Sequence, residues 1–205
     1  MAKLGSIGVI LTISCLLAST LYVNARKQGL DIAEDFLDFP RKDFYLEKEK
    51  VVKFRVFVQD LSVNHPNTTT YDVAQASITA TSPTGFGKVR VIDDLVTAQP
   101  NGNSRALGRL QGLLTRSDLT TLAISVNLNL YFSAGPYAGS IISLLGRNQI
   151  ALAERELVVA GGTGVFRFAR GYAIQKTNST RTNVSVLEYN IYTTYNAKLN
   201  EVDEM

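Results

Sequence analysis

Tryptophan is absent from the 205-residue sequence, and histidine and cysteine each occur once, as His65 and Cys15. A single histidine excludes a histidine-dependent catalytic triad and a metal site built from several imidazoles. Cys15 lies in an apolar N-terminal run, so a chain cleaved behind that run would have no thiol. Disulfides, thiolate nucleophiles and cysteine-bound metals are then excluded as well. We therefore expect neither a metal nor a cofactor.

The excess of one sign of charge over the other is also small. Lysine and arginine together number 21 against 18 aspartate and glutamate residues, which gives a formal net charge of +3. This excess is small and scattered along the chain, whereas nucleic-acid-binding domains carry clustered basic residues. We expect no nucleic-acid partner.

Residues 1–25 have the pattern of a secretory signal peptide. Lys3 precedes an apolar run from Ile7 to Leu17, and a small-residue cleavage site ends at Ala25. A membrane anchor is the alternative, but the run is shorter than the roughly 18 to 20 apolar residues of a membrane-spanning helix. We expect a secreted, extracellular protein with no membrane association after cleavage.

Three N-x-[ST] sequons fit this secretory route. They make Asn67, Asn178 and Asn183 candidate glycosylation sites, each beside a polar turn segment.

The remaining chain divides by composition. Residues 26–50 are charged and contain Pro40, and we interpret them as an N-terminal arm in which 32–39 has the pattern of a short amphipathic helix. Residues 51–198 alternate apolar and polar side chains in short runs between turns, which is the period of β-strands. Residues 199–205 form a C-terminal tail. The pattern predicts an all-β, antiparallel sandwich or barrel, with strands near 51–62, 71–80, 88–97, 105–115, 120–132, 139–145, 149–159, 165–176 and 183–195.

A glycine cluster at Gly161-Gly162-Thr163-Gly164 has the composition of a phosphate-binding loop. Its spacing matches neither G-x-G-x-x-G nor the P-loop, and β-forming residues rather than a helix follow it. We interpret it as a hairpin turn, where positive φ favours glycine.

The first strand suggests where chemistry could lie. Phe54, Val56 and Val58 share one face, and Asp60 is the next residue on that face. In an open barrel Asp60 would project into an apolar cavity, where desolvation raises a carboxyl pKa and suits a general acid. The alternative is that Asp60 caps a backbone N–H of the following turn.

Arg155 lies on an apolar strand face between Ala153 and Leu157. A cation in such a place needs an anion, supplied by the protein or by a ligand. The adjacent carboxylates Asp93 and Asp94 point to opposite faces of their strand, so they cannot both enter one pocket.

Several blocks between about residues 51 and 195 resemble the plant dirigent family. They are Val58-Gln59-Asp60, Gly85-Phe86-Gly87, Val91-Ile92-Asp93-Asp94, Gly108-Arg109-Leu110-Gln111-Gly112, the run 139–148, and Arg155-Glu156-Leu157 through Ala169-Arg170-Gly171-Tyr172. The resemblance implies an eight-stranded antiparallel β-barrel of the calycin or allene oxide cyclase type. It also implies a glycosylated homotrimer secreted to the plant apoplast or cell wall.

The resemblance implies a function without an oxidant of the protein's own. An external laccase or peroxidase makes phenoxy radicals from phenolic monolignols, and the barrel guides their stereoselective coupling in phenylpropanoid and lignan biosynthesis. Other members are lyases of the pterocarpan-synthase kind, which dehydrate an isoflavanol through a quinone methide. A third interpretation is a wall or defence barrel that binds a ligand without turnover.

The resemblance also assigns residues. Asp60 matches the aspartate of the family's first strand and Arg155 the arginine of pinoresinol-forming members, so both are candidate catalytic residues. Asn148 falls where those members have a second pocket aspartate. Phe54 and Val58 are expected to line the substrate pocket with Asn148. Departures such as Asn148 and Leu114 put pinoresinol itself in doubt as the product.

The expected trimer has a second motivation. Residues such as Phe57 and Tyr131 fall on the outer strand faces, where exposed aromatic side chains favour cover by another subunit.

Overall fold

Residues 19–25 and 49–196 are described in the computed structural model of the protein, the side chain of Asn196 excepted. Residues 19–25 are helical and exposed. The rest of the predicted signal peptide, most of the predicted arm and the C-terminal tail lie outside the described residues. Within the described part of the chain, no helix reaches the length and apolarity that crossing a bilayer requires.

The chain divides into two units, Met1–Tyr45 and Leu46–Met205, and every strand of the described residues lies in the second. The strands are β1 (Glu49–Leu61), β2 (Thr70–Ala74), β3 (Val89–Thr97), β4 (Ala106–Arg116), β5 (Ala123–Phe132), β6 (Ile141–Gln149), β7 (Glu154–Thr163), β8 (Gly171–Arg181) and β9 (Val184–Asn196). A 3-10 turn at Gly164–Phe166 connects β7 to β8.

The sheet closes on itself. Its order is β1-β9-β8-β7-β6-β5-β4-β3-β2, every pairing is antiparallel, and β1 also pairs with β3 from Phe57 to Gln59. β2 pairs with the other half of β3, at Thr70↔Ile92 and onward. Eight strands therefore form the closed ring, and β2 continues the line of β1 along β3. The expected eight-stranded antiparallel barrel is confirmed.

Alternation of side chains decides which residues fill the barrel. On β5, Val126, Leu128, Leu130 and Phe132 are each at most 4% exposed, while the residues between them face outward. Burying such a row removes roughly 25 cal/mol per Å² of apolar surface from water, which stabilises the closed sheet.

The outer face departs from expectation in β1. Phe57 is only 3% exposed although it points out of the barrel, and Tyr131 is half-buried. The neighbouring Gln59 is also buried and donates to the Thr97 hydroxyl and the Pro100 carbonyl, so the segment after β3 covers this part of the sheet. Phe57 thus needs no second subunit to cover it.

One end of the barrel is filled by an aromatic plug, which consists of Phe54, Phe132, Tyr137, Phe166 and Tyr195. Ring centroids within it are 5.2 to 6.3 Å apart, with edge-to-face and tilted geometries. Such pairs add to the free energy of apolar burial. The plug closes the end at which β1 begins, and the end at which β1 finishes stays open.

The glycine cluster does not form the predicted hairpin turn. β7 continues through Gly161, Gly162 and Thr163, which pair with β6, and β8 begins at Gly171 rather than near 165. The chain turns only afterwards, because Phe166 curls inward and is fully buried in the plug. The strand predicted over 71–80 is likewise shorter, since β2 ends at Ala74 and turns follow.

The restriction at Gly162 is a close approach of the chain. A Cβ there would lie 2.3 Å from the Ile141 carbonyl oxygen and 2.6 Å from the Phe166 Cβ. Positive φ belongs instead to Gly161 (147°) and Gly164 (59°).

Gly162→Val should lower the free energy of unfolding by about 1–3 kcal/mol, the usual cost of overpacking, as measured by urea denaturation. Gly102→Val is the control, because a Cβ at Gly102 meets nothing closer than Gln59 Oε1 at 3.4 Å. Equal losses in the two variants would contradict this account.

Added ATP should leave the melting temperature of the wild type unchanged, and a rise would restore the phosphate-binding interpretation.

Candidate functional site

The open half of the barrel contains a cavity of about 260 Å³. Its wall is mostly apolar and includes Ile92, Leu110, Leu114, Ile124, Val126, Leu128, Ile150 and Leu187. Its polar lining includes Asp60, Asp94, Asn148, Arg155, Gln175 and Tyr189. Polar groups set among apolar wall residues are typical of a small-molecule site.

Barrel closure brings two carboxyl groups into this cavity. β1 and β3 pair at Gln59↔Leu95, so continuing the register by one residue places Asp60 opposite Asp94. Facing side chains of antiparallel strands have Cβ atoms roughly 5 Å apart. Each carboxyl accepts a hydrogen bond from the start of β2: Asp60 Oδ1 from the Thr70 hydroxyl at 3.2 Å, and Asp94 Oδ1 from the Thr69 hydroxyl.

Burial makes both carboxyl groups weaker acids than they are in water. It raises the pKa of the Asp94 carboxyl to about 8, against a lowering by the Thr69 hydrogen bond and with a further rise from the charge of Asp60. Burial also raises the pKa of Asp60, which the Thr70 hydrogen bond and the Arg90 charge partly oppose. Asp94 is only 2% exposed, whereas Asp60 is half-buried. Near neutral pH the cavity therefore contains a protonated carboxyl at Asp94.

A hydrogen-bonded network crosses four strands, β6 to β9, beside this pair. The register puts Arg155 opposite Gln175 and Gln175 opposite Tyr189. Gln175 Oε1 accepts from Arg155 Nε at 3.4 Å and from Asn148 Nδ2, and Gln175 Nε2 donates to Tyr189 Oη at 2.7 Å. Arg155 also donates to the Thr177 hydroxyl at 3.1 Å.

Arg155 sets the direction of every hydrogen bond in this network, because a guanidinium can only donate. The Gln175 atom facing it must be the oxygen, so the Gln175 amide nitrogen faces Tyr189. Tyr189 then accepts, and its own O–H is left to donate. Asn148 offers its nitrogen to the same oxygen, which leaves Asn148 Oδ1 buried without a hydrogen-bond partner.

The network has consequences for charge. Burial lowers the pKa of the Arg155 guanidinium and raises the pKa of Tyr189 above its usual range. Among the described residues no carboxylate forms an ion pair with Arg155, whose partners are the groups named above and the Leu152 carbonyl. The cavity thus offers a ligand a cation, a hydroxyl donor and an amide acceptor.

The structure brings Asp60, Arg155 and Asn148 together at the cavity. Phe54 and Val58 do not line it: Phe54 belongs to the plug, and Val58 is a fully buried core residue. The Asp60 side chain accepts a hydrogen bond from the Thr70 hydroxyl rather than from a backbone N–H of the following turn.

Sequence reasoning missed Asp94. The signal was present, because Asp94 alternates with the buried residues Ile92 and Val96 and so faces inward. Asp93 does face outward, where it accepts hydrogen bonds from Arg109 and Gln111. Gln175 and Tyr189 were missed as well.

The three sequons differ in accessibility. Asn67 and Asn178 are exposed. Asn183 is half-buried, and its Nδ2, the atom that a glycan would occupy, donates to the Asn64 carbonyl at 3.3 Å. Geometry thus favours Asn67 and Asn178, and their modification stays a prediction.

No cluster of three or more potential metal-binding side chains occurs in the ranges 19–25 and 49–196. The arrangement present suits acid–base chemistry: a neutral carboxyl, a second carboxyl of lower burial, and a cation in a largely apolar space.

The raised pKa of Asp94 predicts how stability changes with pH. Between 3.8, its ordinary pKa, and about 8 the native protein holds a proton that the unfolded chain releases, so stability falls as pH rises. In Asp94→Asn this decline should become shallower between pH 5 and 8, by up to about 1.4 kcal/mol per pH unit. Urea denaturation across this range measures it.

Asp93→Asn is the matched control. The Arg109 hydrogen bond lowers the pKa of Asp93, so its stabilisation is complete above its ordinary pKa and is lost only in acid. Its slope between pH 5 and 8 should equal that of the wild type. An unchanged slope in Asp94→Asn would refute the protonated state assigned to Asp94.

Comparison with known proteins agrees with this geometry. The family of Dirigent-like proteins matches residues 51–194. Dirigent protein 11 of Arabidopsis thaliana is 40% identical over 144 residues, which cover 70% of this chain and 74% of that protein. Pterocarpan synthase 1 of Glycyrrhiza echinata is 33% identical over 149 residues, covering 71% of this chain and 79% of that protein.

Solved structures give the same result. The pterocarpan synthase dirigent protein GePTS1 superposes with a TM-score of 0.66 and 32% identity, covering 73% of this chain and 91% of that one. PsPTS1, a second pterocarpan synthase dirigent protein, gives 0.63 and 32%, with 71% and 96% covered. The match of the family over residues 51–194 and the relatives of 33% to 40% identity show that this eight-stranded barrel belongs to the dirigent family.

Proposed function

We propose that this protein binds a phenolic substrate in the barrel cavity and moves protons to and from a quinone methide formed there. In this way it guides the stereoselective coupling of phenoxy radicals that an external laccase or peroxidase generates. The observation that carries the proposal is the Asp60–Asp94 pair, because one of its carboxyls stays protonated near neutral pH inside an apolar cavity.

The proton balance gives each carboxyl a role. The external oxidase removes one electron and one proton from each phenol, and two radicals join by a carbon–carbon bond to give a quinone methide. A side-chain oxygen then attacks the methide carbon, giving up its proton if it belongs to a hydroxyl, and the ring carbonyl gains a proton to become a phenol. Asp94 is the more buried acid and donates to the carbonyl oxygen, while Asp60, beside the Arg90 charge, accepts the hydroxyl proton.

The neighbouring network orients the ring oxygen. Asn148 Oδ1 accepts from a phenolic O–H, and the Tyr189 hydroxyl donates to an oxygen that has lost its proton. Arg155 stabilises negative charge on that oxygen, since its burial strengthens electrostatic interactions. The apolar wall excludes water, which would otherwise add to the quinone methide.

Dehydration of an isoflavanol by the same residues is the second candidate. Here Asp94 protonates a leaving hydroxyl, water departs, and the phenol passes its proton to the Asp94 carboxylate as the quinone methide forms. A second phenolic hydroxyl then attacks the methide carbon, and its proton goes to the ring carbonyl oxygen. No electron is gained or lost. A neutral carboxyl at Asp94 favours this route, and so does the similarity to proteins named pterocarpan synthases.

One pair of assays separates these functions. Racemic isoflavanol is incubated with the protein alone, and coniferyl alcohol with the protein plus laccase, each followed by chiral chromatography. Turnover without oxidant supports dehydration, and enantiomeric excess that requires laccase supports guided coupling. If both assays are negative, the barrel binds its ligand without turnover, and the proposal is overturned.

Asp60→Asn and Asp94→Asn should each lower stereoselective product formation by roughly 10²-fold or more, the usual contribution of a general acid or base. Substrate binding, measured by calorimetry, should persist because the amide keeps the size and polarity of the carboxyl. Asp93→Asn, one residue away on the outer face, should retain full activity. Full stereoselectivity in Asp60→Asn would remove Asp60 from the mechanism.

We also propose that the mature protein is a homotrimer in the apoplast, glycosylated at the exposed sequons. Exposed apolar side chains on the outer face support assembly. They follow the strand register in two groups, with Asn127 of β5 between Leu113 and Leu145, and each is at least 37% exposed: Tyr71, Val91 and Leu113, then Leu145, Val158 and Tyr172. Exposed apolar surface of this kind favours cover by a partner.

Leu113→Glu should shift the mass measured by light scattering at micromolar concentration from trimer toward monomer, because it buries a charge in the interface. Val51→Glu is the control, since Val51 is 79% exposed and lies outside both groups. Monomer mass for the wild type would contradict the proposed trimer, and an unchanged Leu113→Glu trimer would exclude this surface as its interface.

A further inference from the structure

The mouth of the cavity carries three basic side chains on one pair of strands. The Arg116 backbone N–H donates to the Lys88 carbonyl at 2.9 Å, which places these two residues opposite each other at the β3–β4 edge of the opening. Arg90 lies two positions after Lys88, one step deeper in the barrel, and its side chain is on the same face of β3 as those of Ile92 and Asp94. All three basic residues line the cavity.

These charges are only partly neutralised. Lys88 Nζ and Arg90 Nε bind the same carboxylate, Asp72, at 3.0 and 2.7 Å. Arg116 donates to the Thr84 carbonyl at 2.9 Å, and no carboxylate pairs with it in the described ranges. Of the three cations at the mouth, two share the Asp72 carboxylate and Arg116 has none.

The carboxyls deeper in the cavity do not restore the balance. Asp94 is protonated near neutral pH, and its hydrogen-bond partner is Thr69 rather than a cation. Asp60, which lies near Arg90 and accepts a hydrogen bond from Thr70, contributes at most one negative charge. Arg155 adds a further positive charge to the lining. The cavity therefore has an excess of positive charge, concentrated where a ligand enters.

We propose that the ligand of this cavity is a phenol whose side chain ends in a carboxylate, held at the mouth by Arg116, Arg90 and Lys88. This inference rests on the proposed function, since the phenol ring occupies the apolar interior beside Asp60 and Asp94. A neutral cinnamyl alcohol would leave the mouth cations without an anion. A carboxylate neutralises them, and low dielectric walls focus their field on it.

The Asp72 carboxylate should act on ligand binding in the opposite direction to the mouth cations. Its carboxylate competes with an incoming anion for Lys88 and Arg90. Removing that carboxylate should strengthen the binding of an acidic ligand, whereas removing a mouth cation should weaken it. A neutral ligand should respond to neither change, because it has no charge to be attracted.

The experiment compares three probes that share one ring: ferulic acid, its methyl ester and coniferyl alcohol. Isothermal titration calorimetry at low ionic strength should give the acid about tenfold tighter binding to the wild type than either neutral probe. Arg116→Gln should reduce the affinity for the acid about fivefold, and Asp72→Asn should raise it about threefold. Affinities for the ester and the alcohol should stay within about twofold.

Arg105→Gln is the control of equal charge change. Arg105 is exposed and precedes β4, whereas Arg116 ends that strand, so the two arginines lie at opposite ends of the barrel. It should leave all three affinities unchanged. Raising the salt concentration to 0.3 M should reduce the preference of the wild type for the acid, because screening acts on the charged probe alone.

Equal affinities of the wild type for acid and alcohol would overturn the proposal while leaving the proposed function intact. A parallel loss for all three probes in Arg116→Gln would do the same, because it would indicate a damaged cavity instead of a lost charge. Absence of binding by every probe would overturn the proposal and, with it, the guided coupling of cinnamyl phenols as the function. Arg90→Gln, checked for folding by its melting temperature, provides a second removal of a mouth cation.

Discussion

Closure of the sheet between β1 and β3 is the constraint on which the remaining structure depends. Only Phe57, Val58 and Gln59 pair with β3, yet this short contact turns an open sheet into a barrel. Just beyond it β1 gives way to β2, and the inward residues at that point are Asp60 and Asp94. The same short pairing thus creates the interior, leaves one end open and brings two carboxyls together.

A second constraint is the buried cation. Arg155 cannot accept a hydrogen bond, so its presence fixes the orientation of Gln175 and, through Gln175, the roles of Tyr189 and Asn148. Asparagine at position 148 is suited to this place. It donates to Gln175 and keeps an acceptor for a ligand, whereas a carboxylate there would have to face the Gln175 oxygen without a proton. Part of the polarity of the cavity is therefore preset before any substrate binds.

Local patterns in the sequence predicted the strands well, but they predicted poorly which residues of different strands come into contact. The two-residue period placed Asp60 and Arg155 on inward faces, and the family resemblance supplied the eight-stranded barrel. Asp94 was overlooked because its partner is 34 residues away in sequence and meets it only when the ring closes. Phe54 was expected at the substrate because it shares a face with Asp60, but six residues of strand span roughly 20 Å, which places it in the aromatic plug. The turn after Gly164 was missed for a similar reason, since Phe166 bends the chain toward rings contributed by β1, β5 and β9.

The aromatic plug makes the barrel a blind tube. Whatever enters must leave by the same opening, so a product still in place prevents the next substrate from approaching. Competition between the two is then a property of the topology, independent of any regulatory site. Turnover in such a tube requires that the product fit less well than the substrate. A product whose ring system becomes larger or more rigid would be in strain against the wall, because the strands of a closed barrel cannot easily move apart.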